Sequence, residues 1–410
     1  MRVLCSTLFA CALVAFLAPA AEASGNVRFG IQDDAWLVHG GGTLDERLDR
    51  LEQLGVDVVR FNLHWDRIEP TKGEYAWEDS DLVLEGLRSR GIPAVVGIVG
   101  SPGWANANRT PNFAPGAQSF AGFVRAAASR YRWVKQWLMW NEPNQARWLR
   151  PTSPSVYVRQ ILNPGYAAVH AVNPGAKVAG GVTAPRGSTG GVSPVKWIRG
   201  MRAAHARLDA YAHHPYPSSS RETPFTKNCR YCETITMGTL ERLITEVGRA
   251  FGPKRIWLTE YAYQTGAFGV TQQRQAELVG QSGLRAHRAP RVDMLIHYLV
   301  KDEPDASRFQ SGLFTIAGRP KVAALAFPLP IAQAGRSGSK LVLWGQVRPR
   351  SGVQTYRVQV RAGGGWAFSG GTRRTTARGF FSTAVAAPPG SSVRIYSPQD
   401  NAYSATIRAR

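Results

Sequence analysis

Two glutamates follow apolar runs whose pattern is typical of buried β-strands. Residues 137–140 (WLMW) lead into Asn141 and Glu142, and residues 255–259 (RIWLT) lead into Glu260. A buried carboxylate is costly unless a site uses it, so Glu142 could be a helix-capping acid, half of a structural ion pair or half of a catalytic pair. Two such carboxyls can cleave a glycosidic bond, because one donates a proton to the leaving oxygen and the other attacks the anomeric carbon. That chemistry requires one protonated and one ionised carboxyl near neutral pH.

Other polar and aromatic side chains stand at the ends of further predicted strands. They are Asp33, Asp34, Arg60, Asn62, Trp104, Asn141, His214, Tyr216, His297 and Tyr298. Arg60 could hold one of the glutamates ionised by proximity. No cluster has the spacing of zinc ligands and no G-x-S-x-G elbow accompanies a strand, so neither zinc nor serine-nucleophile chemistry is indicated. The constellation favours a pair of catalytic carboxyls.

These side chains meet only if the strands lie side by side. Between residues 27 and 330, eight apolar strands alternate with amphipathic helices, which predicts an α/β fold, a (β/α)8 TIM barrel. The first helix after a strand shows the detail, since Thr43 and Glu46 form a capping box and Gly55 stands where the helix should end. A doubly wound open sheet is the competing fold, but it usually carries a glycine-rich phosphate turn where this chain reads QDDAW (residues 32–36). In a TIM barrel the catalytic groups stand at the C-terminal ends of the strands.

The pattern changes near Ser337. From there to residue 410, short alternating strands are separated by Gly, Pro and Ser, and no helix is evident. This predicts a small β-sandwich as a C-terminal accessory domain. Trp344 and Trp366 could stack on sugar there, although buried structural roles are favoured for both.

Residues 1–23 have the pattern of a secretory signal peptide. Arg2 gives a positive start, residues 8–17 are apolar, and residues 21–23 (AEA) form a small-x-small cleavage site. A retained amphipathic anchor is the alternative. We therefore expect a secreted chain, extracellular or associated with the cell envelope, without a membrane span.

Two cysteines, Cys229 and Cys232, remain after the signal peptide, with C-x-x-C spacing. In an exported protein this favours a small disulfide that pins a loop. A zinc site and a redox motif are the alternatives. A zinc site would need two more soft ligands near in sequence, and none is present.

The chain is strongly basic, with a formal net charge of +22 and a pI near 10.4. Such a charge could attract nucleic acid, anionic cell-surface polymers or acidic glycans. A solvated basic surface without a specific partner is the favoured interpretation. No motif of the usual nucleic-acid binders is present, so no nucleic-acid partner is expected, whereas anionic cell-wall polymers remain a candidate partner.

Several motifs together resemble the retaining glycoside hydrolases of clan A, in particular families five and thirty-nine. The resemblance spans roughly residues 27–330. It is carried by the motifs WNEPN (residues 140–144), LTE (258–260), HPY (214–216) and RFNLHWDRIEP (60–70), with support from GEYAW (73–77) and GLFTIAGRPK (312–321).

The resemblance implies roles for individual residues. It makes Glu142 the acid/base and Glu260 the nucleophile. Asn141 would hydrogen-bond the sugar hydroxyl next to the reacting carbon, Arg60 and Tyr216 would orient Glu260 and keep it ionised, and His214 would line the −1 subsite. Trp104, Trp148 and Trp65 are candidates for stacking on sugar. The clan commonly places a tryptophan near the end of strand eight, where this chain reads IHYL, so His297 or Tyr298 would take its place. The loop that holds Cys229 and Cys232 would lie on the active-site face.

The sequence therefore predicts a secreted retaining β-glycosidase that acts on poly- or oligosaccharides by double displacement. No cofactor and no metal are expected, and the chain is expected to be a monomer. Two other readings remain open: a non-catalytic glycan-binding protein on a barrel scaffold, and a cell-wall-associated protein held by its positive charge.

Overall fold

The computed structural model describes residues 25–227, 233–267 and 269–410. Its central feature is a closed barrel of eight parallel strands, which pair in the order of the sequence. The strands are β1 (Arg28–Gln32), β2 (Val58–His64), β3 (Ala94–Val99), β4 (Gln136–Met139), β5 (Lys177–Thr183), β6 (Ala210–His213), β7 (Arg255–Tyr261) and β8 (Val292–Tyr298). The predicted TIM barrel is confirmed, and the open doubly wound sheet is excluded because β1 pairs with β8.

Helices follow the strands and cover the outside of the barrel. They are α1 (Asp34–His39), α2 (Leu44–Gln53), α3 (Trp65–Ile68), α4 (Glu78–Ser89), α5 (Ala117–Arg130), α6 (Pro154–Val156), α7 (Asn163–Val172), α8 (Pro194–Ala203), α9 (Leu240–Phe251), α10 (Gln272–Arg288) and α11 (Ala323–Ala326). A π-helical segment, Tyr157–Leu162, joins α6 to α7, and short 3₁₀ turns lie at Gly103–Ala105 and Met237–Thr239.

The start of α2 shows how local sequence sets a helix boundary. The backbone N–H of Glu46 donates to Oγ1 of Thr43 at 3.2 Å, and the backbone N–H of Thr43 donates to Oε2 of Glu46 at 2.8 Å. This is the predicted capping box, which satisfies two backbone donors that the helix leaves free. Leu48 and Leu51 face the core, and Gly55 follows the helix with a φ of 66°. A left-handed conformation of this kind favours glycine.

The inside of the barrel is apolar below its C-terminal rim. Side chains from seven of the strands, with Val182 at the end of β5, pack there into a buried cluster, as is usual for this fold. Its members are Val58, Val95, Leu138, Ala179, Val182, Ala210, Ala212, Trp257, Met294 and Ile296. The barrel is closed at this level, so a ligand can enter only above it.

Strand register brings polar side chains to one level at the C-terminal rim. Gln32 of β1 lies opposite Arg60 of β2 on one side and Tyr298 of β8 on the other. On β2, Asn62 pairs with Gly97 of β3. A β-carbon at residue 97 would collide with Oδ1 of Asn62, so the glycine makes room for that polar side chain.

The C-terminal segment forms two antiparallel sheets, as the sandwich prediction requires. Its strands are β9 (Ile331–Ser337), β10 (Lys340–Gln346), β11 (Thr355–Arg361), β12 (Ala367–Phe368), β13 (Arg373–Arg374), β14 (Phe380–Ala386), β15 (Ser392–Ser397), β16 (Ala402–Tyr403) and β17 (Ile407–Arg408). One sheet has the order β14-β10-β9, and the other has β12-β11-β15-β16 with β13 on β11 and β17 on β15. The first strand begins at Ile331, before the change in pattern at Ser337.

These sheets pack directly on the barrel. The Phe380 ring lies 6.3 Å from that of Phe29 in β1, and the guanidinium of Arg348 lies 4.0 Å from the centre of the Phe29 ring. Trp344 is buried and belongs, with Phe380, to the main hydrophobic core that surrounds the barrel. Trp366 is half-buried between arginine side chains. The core role expected for Trp344 is therefore observed.

Within the part of the chain that the structure describes, no helix is long and apolar enough to cross a membrane. The predicted signal peptide and the predicted disulfide between Cys229 and Cys232 lie outside the described residues.

Candidate active site

A cavity of about 930 Å³ opens at the C-terminal rim of the barrel. Both predicted catalytic residues, Glu142 and Glu260, line it, as do Asn141, Tyr216 and Tyr298. Asn141 and Glu142 follow β4, Tyr216 follows β6, Glu260 lies near the end of β7 and Tyr298 ends β8. The cavity therefore lies where side chains from several strands converge, which is the usual position of an active site in this fold.

The two glutamates lie close together across the cavity. One oxygen of Glu142, one oxygen of Glu260 and one ring nitrogen of His214 all lie within 4.8 Å of one another. Paired carboxyls that act by double displacement are about 5–5.5 Å apart, whereas those that activate a water for direct displacement are about 6.5–9.5 Å apart. The spacing here matches the shorter class.

Arg60 holds Glu260 from below. Its side chain is fully buried, and Nη1 donates to Oε2 of Glu260 at 3.0 Å and to the backbone oxygen of Thr259 at 3.0 Å. Nη2 donates to Oδ1 of Asn141 at 2.6 Å. One buried guanidinium therefore fixes residues from β4 and β7 and places a positive charge against Glu260.

Tyr216 holds the other oxygen of Glu260. Its hydroxyl donates to Oε1 at 2.8 Å. Burial, with the negative charge of Glu260 as the next cause, raises the pKa of Tyr216 well above its ordinary value, so the phenol stays protonated and remains a donor. Both oxygens of Glu260 thus accept hydrogen bonds, and its negative charge is stabilised in one orientation.

His214 links the two glutamates and has a defined tautomer. Nη1 of Arg60 lies 3.0 Å from Nε2 of His214, and because a guanidinium can only donate, Nε2 must be the acceptor. The ring proton is therefore on Nδ1, which donates to Oε1 of Glu142 at 3.0 Å. Burial lowers the pKa of His214 to about 3, so the ring is neutral.

Glu142 has a different environment from Glu260. Burial raises its pKa from an ordinary 4.5 to about 7. The positive charge of Arg60, an interaction with Trp148 and the charges of Arg147 and Arg186 oppose this shift without cancelling it. A carboxyl with such a pKa is protonated in much of the population at neutral pH, as a general acid must be.

The backbone is strained where β4 delivers Asn141 and Glu142. Trp140 has a φ of 76° and Glu142 a φ of 40°, and the neighbouring Val182 has a φ of 45°. Such conformations cost about 1–3 kcal/mol each in residues other than glycine and are concentrated at functional sites. The backbone N–H of Glu142 donates to the oxygen of Val182 at 2.9 Å, so the two strained segments hold each other.

The side-chain amide of Asn141 uses its oxygen in a hydrogen bond and keeps its NH₂ group available. Its Oδ1 accepts from Arg60, which leaves the amide NH₂ group as a donor in the cavity. Such a donor can bind a hydroxyl group of a substrate beside the glutamates.

Two adjacent aspartates at the end of β1 have separate roles. Asp33 is buried and caps α1 by accepting from the backbone N–H of Trp36 at 3.1 Å, and it also accepts from that of Val300 at 3.0 Å. Asp34 lines the cavity and accepts from Nδ2 of Asn62 at 2.8 Å. Only Asp34 is therefore placed to contact a ligand.

The end of β8 presents a tyrosine to the cavity. Tyr298 lines it and packs edge-on against Phe309 with ring centres 5.1 Å apart. His297 is turned away, since its Nε2 lies 2.9 Å from the backbone oxygen of Ser311. Of the two residues expected to replace a tryptophan here, the structure places Tyr298 in the site.

Of the three tryptophans considered for sugar stacking, Trp148 lines the cavity. Trp104 does not line that cavity. Its indole N–H donates to the backbone oxygen of Glu69 at 2.9 Å, and its ring packs edge-on against Trp65 at 5.7 Å. Trp65 is fully buried and has a packing role.

Sequence reasoning missed the loop residues that complete the cavity. The chief ones are Arg147, Arg186, Ser218 and Phe309. No spacing or motif marks them, because the loops that carry them come together only in the folded chain.

The group of Glu142, His214 and Glu260 has ligand atoms close enough to hold a metal ion. The guanidinium of Arg60, however, already contacts Oε2 of Glu260 and Nε2 of His214. A divalent cation would lie beside this fixed positive charge and be repelled by it. The positive charge that balances the glutamates is therefore that of Arg60.

Arg60→Ala should lower kcat/KM by about 10²–10³-fold, because it removes the charge that positions Glu260. Since it also leaves the largely buried carboxylate of Glu260 without its ion-pair partner, it should lower the free energy of unfolding by about 1–3 kcal/mol. Activity assays and urea unfolding measure the two effects. The control is Arg88→Ala, which breaks the exposed ion pair with Glu85 and should cost less than about 1 kcal/mol. Wild-type kcat/KM in Arg60→Ala would contradict the assigned geometry.

Comparison with known proteins identifies the family to which this chain belongs. Residues 109–325 match the family model described as the glycosyl hydrolase catalytic core. No curated protein sequence matches the chain at a significant level.

Solved structures share the fold at low identity. A family 39 glycoside hydrolase from the gut symbiont Bacteroides cellulosilyticus WH2 is 16% identical, with a TM-score of 0.65 over 87% of this chain and 80% of that chain. The GH39 enzyme from Xanthomonas axonopodis pv. citri is 15% identical, with a TM-score of 0.59 over 89% and 92% of the two chains. A glucosidase from Croceicoccus marinus is 14% identical, with a TM-score of 0.61 over 92% and 97%. At these identities the likeness shows the fold alone.

Proposed function

Because this chain belongs to the glycosyl hydrolase catalytic core family, we propose that it is a secreted retaining β-glycosidase acting on oligo- or polysaccharides. Membership makes it a glycoside hydrolase with a carbohydrate substrate. The retaining mechanism rests on one observation above all, the approach of Glu142 and Glu260 oxygens to within 4.8 Å. That spacing is close to the separation of about 5–5.5 Å found in retaining enzymes and shorter than the separation of about 6.5–9.5 Å found in inverting ones.

In the first step, Glu142 donates its proton to the glycosidic oxygen while an oxygen of Glu260 attacks the anomeric carbon. The bond from that carbon to the leaving oxygen breaks, and the leaving group departs as an alcohol. The sugar is then bound covalently to Glu260 as an ester. The raised pKa of Glu142 supports its role as the donor, since the group is still protonated near pH 7.

In the second step, Glu142 is a carboxylate and takes a proton from a water molecule. The water oxygen attacks the anomeric carbon, and the bond to Glu260 breaks. Two inversions at one carbon retain its configuration. His214 supports Glu142 in both steps, because its Nδ1–H can donate to either protonation state of the carboxyl.

Arg60 and Tyr216 position the nucleophile. Each donates to a different oxygen of Glu260, so the carboxylate is held in one orientation before substrate binds. Asn141 would bind the hydroxyl next to the reacting carbon through its NH₂ group. Tyr298 would form one side of the subsite that holds the reacting sugar.

Export is supported by residues 1–23, whose charged start, apolar run and AEA site have the order of a signal peptide. The mature enzyme would then act outside the cell or at its envelope.

The stereochemistry of hydrolysis tests the mechanism. A panel of aryl β-glycosides identifies a substrate, and ¹H NMR then follows the anomeric proton of the first sugar released. We expect the β-anomer to appear first and the α-anomer to grow in later by mutarotation. Initial release of the α-anomer would overturn the retaining mechanism while leaving the glycosidase assignment intact.

A further inference from the structure

The cavity is asymmetric in charge beyond the catalytic pair. On the side of Glu142, the loops after β4, β5 and β6 contribute Arg147, Arg186, Ser188 and Ser218. We call these four residues the basic wall. Apart from Glu142 itself, no described acidic residue that lines the cavity belongs to these loops; the others are Asp34, Glu260 and Glu303. On the opposite side, Arg308 is paired with Glu303 at 2.9 Å.

Arg186 is the inner charge of the basic wall. Its side chain is half-buried, and within the described parts of the chain its guanidinium makes one hydrogen bond, from Nη2 to Oγ of Ser218 at 2.9 Å. No carboxylate among the described residues pairs with it. Burial lowers the pKa of Arg186, and the negative charges of Glu222 and Glu142 oppose this shift without a direct contact. Glu222 accepts a hydrogen bond from the backbone N–H of Ser218 at 2.9 Å. Most donors of this guanidinium therefore have no hydrogen-bond partner among the described residues.

The backbone of the same loop is anchored. The side-chain amide of Gln145 donates to the backbone oxygen of Arg186, and Nδ2 of Asn144 donates to that of Val192 at 2.9 Å. The backbone that carries Arg186 is thus held by contacts with the segment that carries Glu142.

Arg147 is the outer charge. It is exposed at the cavity edge, and its guanidinium lies 5.9 Å from the centre of the Trp148 ring. It forms no ion pair with a described carboxylate. The guanidinium therefore places a positive charge over the indole ring of Trp148.

Both charges also work against Glu142. Each favours its ionised form and so opposes the protonation that acid catalysis needs. A bound anion on the basic wall would offset this effect. Unpaired positive charges beside a general acid are more readily explained by the substrate than by the apoenzyme.

We propose that the basic wall is an anion-binding subsite for the leaving group, so that the natural substrate carries a carboxylate or sulfate on the sugar that departs. The inference rests on the proposed function, which makes Glu142 the acid that protonates the leaving oxygen. The leaving sugar must then lie on the side of Glu142, which is the side of Arg147, Arg186 and the Trp148 ring. Arg186 and Ser218 would donate to the anion, and Trp148 would pack against the sugar ring.

The experiment compares leaving groups on one glycone. Three aryl β-glycosides of the sugar found active in the panel carry 4-nitrophenol, a carboxy-4-nitrophenol or a sulfo-4-nitrophenol. The measured quantity is kcat/KM for each anionic substrate divided by that for the neutral one. We expect this ratio to fall about tenfold in Arg186→Ala and further in Arg147→Ala/Arg186→Ala. Arg186→Lys, which keeps the charge, should lie between.

The matched control is Arg109→Ala. Arg109 also lies over an aromatic ring, 4.9 Å from the centre of Phe113, but outside the cavity, so its ratio should equal that of the wild type. A larger ratio for the carboxylate indicates a uronate-type substrate, and a larger ratio for the sulfonate indicates a sulfated one. Equal ratios in wild type and both Arg186 variants would overturn the anion subsite. Absence of hydrolysis of every glycoside would instead overturn the proposed function.

Discussion

Glu260→Ala is expected to lower kcat/KM by about 10⁴–10⁶-fold, the size of effect seen when a covalent nucleophile is removed. The variant cannot form the glycosyl-enzyme ester, and Arg60 and Tyr216 lose the group that they orient. Steady-state rates on the best aryl β-glycoside measure the loss. Added azide should restore part of the turnover and give the α-glycosyl azide, because the small anion can occupy the space that the carboxylate leaves.

Glu246→Ala is the matched control for this result. Glu246 is a buried glutamate in α9 that pairs with Arg199 at 3.0 Å and does not line the cavity. Its removal should lower stability but leave kcat/KM within a few-fold of the wild type. If Glu260→Ala kept more than a tenth of wild-type kcat/KM, Glu260 would not be the nucleophile.

Glu142→Gln should lower kcat/KM by about 10²–10⁴-fold on substrates with a poor leaving group. The amide keeps the shape of the side chain but cannot release a proton to the glycosidic oxygen. The raised pKa of Glu142, about 7, also defines a pH profile. The protonated form is active and predominates below this value, so wild-type kcat/KM should fall as pH rises above about 7. In Glu142→Gln this alkaline decline should disappear.

The internal control uses a leaving group that needs no proton. A 2,4-dinitrophenyl glycoside should be cleaved to its covalent intermediate nearly as fast by Glu142→Gln as by the wild type, as pre-steady-state release of dinitrophenol would show. Persistence of the alkaline limb in the variant would assign that pKa to another group.

The main parts of the site could be predicted from sequence because a parallel barrel collects strand ends at one rim. Glu142, Glu260 and Arg60 each follow or interrupt an apolar run, so their strands alone bring them together. The carboxyl spacing and the tautomer of His214 could not be predicted. They depend on distances across the barrel and on which atoms of Arg60 reach which partner.

The loops were less predictable for a physical reason. Trp104 follows β3 at the C-terminal rim, but its indole N–H donates to the backbone oxygen of Glu69 and the residue does not line the cavity. Arg186 has no signal in the sequence, since its place depends on a bond from Gln145 in another loop. Strand pattern therefore predicts the floor of this site, and contacts between loops decide its walls.

The packing of the C-terminal sheets determines whether they could be exchanged independently of the barrel. Trp344 and Phe380 share one core with the barrel, and no described residue after Gln310 lines the cavity. A barrel cut after Pro330 would expose the rings of Phe29 and other apolar side chains to water. The sheets are thus no exchangeable attachment module on a linker. The sheets and the outer face of α10 must therefore be retained together when the chain diverges. The loops at the C-terminal rim of the barrel can vary separately and change the substrate preference.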